Sequence, residues 1–434
     1  MIRQVAPIVA LLIGMTFLML GGGLHAIVIP VRGQLEGFSA FQLGFIGTGW
    51  AIGFTLGCVL VPRLVRRAGH VRTFSTLTAL LSVSILLNGM WVEANFWILL
   101  RALSGFCFAG CYMVAESWLN ERVSNEHRGS LFSIYAITTM AAMAAGQYLL
   151  VLAEPTKEIL FMLGGILYAL AVLPTAVSRA QSPAPLTSVS LDIPDLFKRS
   201  PVAVVGAFLT GIISSAWTNF GAVFGQQVGF SSAAIATLLG LALVGSALMQ
   251  YPLGKLSDMI DRRYVMGIAG AIGIAAGTLM TMLSNANEFG TIFFISVIGY
   301  GGVIFSIYSL VVAHANDYAA PNEFVKISGG MLILYGFGTM VGPLLTAQLM
   351  NMLGPSGLFT TTTLAHAAFA SYAYYRTFRR ERVEPSERTD FQTIGRTTTP
   401  ESFAFDPRSS AEPFALEDED DLQPMPPPVK ISEL

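Results

Sequence analysis

A seven-residue segment occurs twice, and its spacing constrains the chain more than any other feature. Gly33-Gln34-Leu35-Glu36-Gly37-Phe38-Ser39 returns 192 residues later as Gly225-Gln226-Gln227-Val228-Gly229-Phe230-Ser231. The same ungapped shift sets Gly14 on Gly206, Gly53 on Gly245 and Leu56 on Leu248. It also pairs a basic loop, Arg63 to His70, with a mixed-charge loop, Lys255 to Arg262. In each copy an apolar stretch runs up to the shared segment, a second runs back, and a charged loop follows. A repeat at this spacing reads as one architectural half of a protein built from two.

The apolar stretches are membrane-length. A spanning helix needs about 20 apolar residues. That ruler marks twelve: 7–29, 40–62, 73–92, 96–118, 130–152, 158–178, 201–224, 232–252, 264–284, 290–312, 326–348 and 357–378. Only 12% of the residues are charged, against about 25% in soluble proteins. The first stretch has no small-residue cleavage site after it and is expected to be a retained helix. A polar connector, 179–200, separates six spans from six. It holds Pro183, Pro185 and Pro194, and its part from Asp192 to Arg199 reads as a short interfacial helix. The tail, 379–434, carries an acidic run from Glu417 to Asp421 and then Pro426-Pro427-Pro428. It cannot bury a core and is expected to be unstructured. It is either a solubilising tail or a docking segment for a cytoplasmic partner.

Basic residues set the orientation. With the N-terminus inside, the outer connections hold two, Arg32 and Lys157, and the inner ones hold thirteen. Both termini are therefore expected in the cytoplasm. The formal net charge of −2, without a basic cluster, gives no sign of nucleic-acid binding. Cys58, Cys107 and Cys111 all lie in apolar stretches and show neither metal spacing nor a disulfide framework. There is no Walker loop and no Ser-His-Asp constellation. No enzyme, metal site or cofactor is expected.

Two motifs resemble the major facilitator superfamily. Its loop after the second and eighth spans reads roughly Gly-x-x-x-Asp-Arg/Lys-x-Gly-Arg/Lys. The second copy here runs from Gly254 to Arg263, with Gly254, Asp258 and Arg262 matching and Met259 and Asp261 departing. In the first copy Pro62 and Arg66 replace the glycine and the aspartate, while Arg67 and Gly69 remain. The fourth-span pattern Arg-x-x-x-Gly is met by Arg101 and Gly105. The stretch Ala115-Glu116-Ser117-Trp118-Leu119-Asn120-Glu121, with the 63–70 loop, is similar to the uncharacterised YcaD-like bacterial branch. The resemblance covers about residues 5–380. It implies an all-α fold: twelve transmembrane helices in two pseudo-symmetric six-helix bundles, 1–178 and 201–378, around the central loop. It also implies secondary active transport by alternating access, with proton coupling, in a bacterial inner membrane, by a monomer.

Ionisable residues inside spans are rare and usually functional. Those here are His25, Arg101, Glu116 and His366, with Glu93 and His314 at span edges. Arg101 lies about 8 Å below the outer end of the fourth span, level with His25. It either snorkels to headgroups or faces a central cavity. The 192-residue shift sets His25 on Trp217, and the resemblance places both helices around the cavity, which suggests a two-sided clamp. Gln147, Asn219, Tyr300 and Tyr335 complete the substrate or coupling candidates, with Trp50 and Thr139 beside them. His366 reads as a packing residue. His25 and Glu93 are the proton-coupling candidates. Glu116, Gly254, Asp258, Arg262 and Arg263 form the expected conformational latch, with Glu116 or Glu121 paired to Arg66 or Arg67 in the first half. Gly21-Gly22-Gly23, Gly299, Gly301-Gly302, Gly336 and Gly338 are expected at close helix crossings or bends.

The central spans carry no mid-membrane carboxylate, which disfavours a cationic substrate. The family's Gly-Pro step in the fifth span is absent, since Ala144-Ala145-Gly146-Gln147 stands there, and Gly342-Pro343 appears in the eleventh. The expected substrate is a small organic solute, neutral or anionic. Two alternatives stay open: a polyspecific drug efflux pump, and a non-transporting membrane sensor or scaffold acting through the tail.

Overall fold

The computed structural model describes residues 2–121, 128–176, 192–319, 323–379, 388, 391 and 399–405. It is all-helical across these residues. Backbone groups in lipid must be satisfied within their own segment, and helices do this without a partner strand. The order is α1 (Ile2–Leu35), α2 (Ala40–Ala68), α3 (His70–Met90), α4 (Ala94–Glu121), α5 (Arg128–Tyr148) and α6 (Ile159–Ala176). A short α7 (Ile193–Arg199) follows, then α8 (Pro201–Gln227), α9 (Ser232–Met259), α10 (Arg262–Asn285), α11 (Thr291–Asn316), α12 (Phe324–Leu353) and α13 (Gly357–Thr377). A long helix stands at each of the twelve expected positions. Among the described residues, ten are long and apolar enough to cross a membrane. The apolar part of α6, Ile159–Pro174, is shorter, and α13 is diluted by a run of threonines. The interfacial helix also forms: α7 starts at Asp192, whose side chain accepts from the Asp195 N–H at 3.1 Å.

The repeated heptapeptide is a helix stop followed by a helix start. Gly37 and Gly229 sit at φ +78° and +79°, a region that glycine enters without a Cβ clash. The Phe38 N–H reaches back to the Gly33 carbonyl at 2.9 Å, and Phe230 to Gly225 at 2.8 Å. The Gly37 N–H bonds the Gln34 carbonyl, and Gly229 bonds Gln226, both at 3.1 Å. This paired bonding closes the end of a helix. Ser39 and Ser231 then cap the next helix by accepting from the N–H of Gln42 and Ala234.

The halves pack alike. In the first, α1 lies on α5 and α6, α2 on α4, and α3 on α4 and α6; in the second, α8 lies on α12 and α13, α9 on α11, and α10 on α11 and α13. Glycine makes the tightest of these crossings. A Cβ on Gly53 would overlap the Ala102 carbonyl, and one on Gly245, 192 positions later, would overlap that of Ile298. Of the expected crossing glycines, Gly299 instead faces open space, so it takes no part in a crossing.

The two halves meet at one end of the bundle. Short turns make successive helices alternate in direction, so both repeated segments lie at that end. There Gln227 donates to Gln34 at 3.4 Å, the Tyr148 hydroxyl to Thr237 at 3.3 Å, and Thr48 to the Met340 carbonyl at 2.8 Å. At the opposite end a tail segment touches both halves. Residues Pro400–Phe405 form a short 3-10 helix against α4, α5 and α12. Thr399 is fully buried, and Pro400 and Glu401 are buried beside it. The expectation of an unstructured tail therefore fails for 399–405. A polar sequence is held there by a buried carboxylate it can satisfy, described below.

Candidate functional site

A cavity lies between the halves, walled by α1, α2, α4, α5, α8, α11 and α12. Its non-atom space is about 1350 Å³, the open mouth included. Much of the wall is apolar or aromatic, with Met19, Trp50, Phe54, Phe108 and Leu332 among the lining. Arg101 is the one charged side chain among the described residues that line it. The cavity-facing expectation for Arg101 fits this placement.

Arg101 links the cavity to a buried polar cluster. Tyr168 of α6 and His25 of α1 lie within reach of its charge. The His25 Nδ1 and the Tyr168 hydroxyl are 3.0 Å apart. Asn88 of α3 is the next polar neighbour of His25. All four side chains are buried. The Arg101 Nε, the His25 Nε2 and both amide atoms of Asn88 have no hydrogen-bond partner. Gln147 of α5, which packs beside Gly23 of α1, also has an unpartnered Oε1 and is not among the lining residues. Leaving such a group unsatisfied costs about 1–3 kcal/mol. A guanidinium so placed has donors in hand for a carboxylate or another planar acceptor.

The facing wall is hydroxyl-rich. Ser214, Ser215, Thr218 and Asn219 follow one another along α8 and line the cavity. Their donors turn back onto their own helix: Thr218 bonds the Ser214 carbonyl at 2.8 Å and the Asn219 amide bonds that of Ser215 at 2.9 Å. Tyr335 of α12 donates to the Ser214 hydroxyl at 2.8 Å, and its ring lies 4.6 Å from that of Tyr308 on α11. Asn219, Tyr335 and Trp50 therefore line the cavity as candidates from sequence. Trp217 and Tyr300 do not. They pack on each other inside the second half at 5.3 Å, and the Tyr300 hydroxyl lies 2.5 Å from that of Thr362. His25 lies behind the lining rather than in it, so no His25–Trp217 clamp spans the cavity. A helix turns about 100° per residue; Gly22 and Ala26 of α1 line the cavity, as do Ser214 and Thr218 of α8 192 positions later, so the equivalent pair His25 and Trp217 falls on the same side of both helices, turned away from it.

The remaining candidates have structural partners. Thr139 donates to the Tyr135 carbonyl of its own helix at 2.8 Å. The His366 Nδ1 lies 2.7 Å from the Thr362 carbonyl, and its ring packs on Gly273. His314 is buried, with its ring 5.3 Å from Tyr318. Glu93 is exposed and accepts from the backbone N–H of Asn95 and Phe96 at the start of α4. Those two bonds hold its carboxyl below the ordinary range.

The loop motif of the second half forms an ion network. Arg262 meets Asp317 at 2.8 Å and Asp258 at 3.3 Å, and donates to the Ser257 hydroxyl at 3.1 Å. Arg263 meets Asp261 at 2.6 Å and the Arg376 carbonyl at 2.9 Å. The Asp258 carboxylate also accepts from the Phe391 N–H at 3.1 Å, and Arg388 donates to the Ile260 carbonyl at 2.7 Å. A Cβ on Gly254 would strike the Phe391 ring. Glu116 takes no part in this network. Its carboxylate accepts from Thr399, from Ser402 at 2.8 Å and from Tyr135 at 3.5 Å. The expected partners Arg66 and Arg67 are exposed instead, and the Glu121 side chain lies outside the described residues. A buried carboxylate is satisfied by hydroxyls as well as by cations, and sequence does not say which will arrive.

Several site residues escaped sequence reasoning. Tyr168, Asn88 and Tyr308 give no signal, because each is a lone polar group in an apolar helix. The α8 wall did give one: Ser-Ser-x-x-Thr-Asn is a polar stripe at helical spacing.

Comparison with known proteins sets this architecture among relatives. The sequence model of the Major Facilitator Superfamily matches residues 11–320 and 204–413. An Escherichia coli protein described as "Uncharacterized MFS-type transporter YcaD" is 23% identical over 357 residues, covering 81% of this chain and 91% of its own. A mutant of the nucleoside transporter NupG superposes with a TM-score of 0.72 at 14% identity, over 86% of this chain and 100% of its own. A bacterial homologue of the human lysosomal transporter Spinster, inward-facing and unoccupied, superposes at 0.71 and 16% identity, over 88% and 99%.

Proposed function

The chain belongs to the Major Facilitator Superfamily, and from that premise we propose that it moves a small organic solute, neutral or anionic, through the cavity at Arg101. It is a membrane transporter rather than an enzyme. The observation that carries the substrate class is the lining. It offers one guanidinium with an unpartnered Nε and no carboxylate among its described residues. A cation would meet repulsion there, while a carboxylate would meet a planar pair of donors. The serines, Thr218, Asn219 and Tyr335 opposite would hold hydroxyl or amide groups of the same solute.

In this reading residues 1–178 and 201–378 act as two bundles that rock about the cavity. His25, bonded to Tyr168 and beside Arg101, is assigned the coupling proton. The chain acts as a monomer in a bacterial inner membrane, with both termini in the cytoplasm. Reporter fusions in the 179–200 connector and after 379 should then report the cytoplasm, and fusions at 225–231 the opposite side.

The test is Arg101→Lys and Arg101→Ala in proteoliposomes, screened first by ligand-induced thermal shift against neutral, anionic and cationic solutes. Uptake is expected from the neutral or anionic set and should be mostly lost in both variants. Lysine keeps the charge but not the fork of donors. Near-normal uptake by Arg101→Lys, or hits confined to cations, would overturn the assignment.

A further inference from the structure

The buried carboxylate of Glu116 faces no cation from the loop motif. It is occupied by the chain's own tail. Thr399 and Ser402 both donate their hydroxyls to the same Glu116 oxygen. The Ser402 hydroxyl also accepts from the Thr399 N–H at 3.0 Å, which closes the turn on itself. Pro400 sits between them and lines the cavity with Cys58, Val59 and Gly329. The approach is anchored on the second half, where Arg388 and Phe391 bond Ile260 and Asp258. Described points of the tail thus touch both halves, Arg388 and Phe391 at the second half's charged loop and Thr399 and Ser402 at Glu116 of the first.

We infer that the Glu116 recess between α4, α5 and α12 is a recognition site for the Thr399–Phe405 segment, and that its occupation closes the cavity at this end. Geometry makes the occupation conditional. α4 and α5 belong to one half and α12 to the other. A motion that separates or joins the halves at this end changes the recess, so the segment must leave it in part of the cycle. The contact suits a removable part. It is a short 3-10 segment whose Thr399 and Ser402 hydroxyls reach one carboxylate of α4. The partner it fits is therefore a segment with two hydroxyls three residues apart flanking a proline, and this chain supplies one.

Cys58 reports on the closure without knowledge of any solute. It lines the same cavity, while Cys107 and Cys111 are wholly buried elsewhere. The experiment is the rate of modification of Cys58 by a hydrophilic maleimide in the detergent-purified full chain, with Cys58→Ala giving the background. Thr399→Val with Ser402→Ala removes both hydroxyls and substitutes no residue of the helix bundle. Loss of two bonds to a carboxylate shifts the bound fraction by about tenfold or more, so labelling should accelerate on that scale. Deletion of 399–405 should match it. A synthetic peptide of residues 393–405 added to the deleted protein should slow labelling again, and a peptide lacking the two hydroxyls should not. Equal labelling rates in the full chain and the double variant would overturn the inference. So would a peptide that protects equally well without its hydroxyls. The readout is access to a thiol, so failure of the transport reading would leave its result standing.

Discussion

Gln227 donates a hydrogen bond to Gln34 at 3.4 Å, one glutamine from each copy of the repeated segment. The bond joins the last turn of α1 to the last turn of α8, at the end where the halves touch. If the halves rock, this contact must break and re-form in every cycle. Cysteines at both positions should cross-link on oxidation. Uptake by Gln34→Cys/Gln227→Cys should then be abolished by oxidant and restored by reductant, with each single variant unaffected. A cross-linked protein that still transports would exclude rocking about this contact.

Glycine crossings predict a matched pair of stability losses. Gly53→Ala and Gly245→Ala each push a methyl into a backbone carbonyl of the facing helix. Neither carbonyl can rotate away. Each substitution should cost about 1–3 kcal/mol, the usual penalty for overpacking. Gly299→Ala, which meets open space, should be neutral within about 0.5 kcal/mol. Thermal unfolding in one detergent measures all three. A loss at Gly53 without one at Gly245 would break the two-fold equivalence.

The loop network separates stability from rate. Arg262 is buried and meets Asp317, whose side chain is only 2% exposed. Arg262→Ala removes that ion partner and should destabilise by about 3–5 kcal/mol. Asp258 is 40% exposed, and Asp258→Asn should cost under about 1 kcal/mol. It should nevertheless slow transport, because it loosens a contact between Arg262 and the approach of the tail. Wild-type uptake by Asp258→Asn would make the motif a packing device only.

Asp261 gives the pH dependence. Partial burial raises its carboxyl, but bonds from the Arg263 side chain and backbone N–H outweigh this and hold it below the ordinary value. A depressed folded value means the pair stabilises at neutral pH, and that this contribution is lost as pH falls below the ordinary carboxylate range. Asp261→Asn should therefore lower the melting temperature at neutral pH and narrow its gap to wild type in acid. The neutral-pH loss should be roughly 1–3 kcal/mol, between surface and buried pairs. A gap that widens in acid would contradict this sign.

The fold was legible because its signals are long. Twelve apolar stretches and a heptapeptide with glycine at Gly37 and Gly229 fix the helices and the halves, since a positive φ leaves few residues to choose from. Arg101 was legible as well, because a charge in a span has few places to go. The rest of the site was not. Whether Trp217 or Ser214 faces the cavity depends on the rotation of α8 about its axis, and an apolar helix with small polar residues on several sides leaves that rotation undetermined. Glu116 was misread because its partners sit 283 and 286 positions away in the tail. A polar tail with no apolar periodicity gives no sign that two of its hydroxyls reach a buried carboxylate.

The seating of Thr399 and Ser402 on Glu116 has a consequence for measurement. The segment is a ligand carried on the same chain, so its occupancy does not fall on dilution. A solute arriving from that end competes with it, and the apparent affinity falls by the fraction of recesses standing empty. A solute arriving from the opposite end meets no such competitor. The same cavity will therefore show two affinities for one molecule, according to the side from which it is offered, and removing seven residues of tail will bring them together.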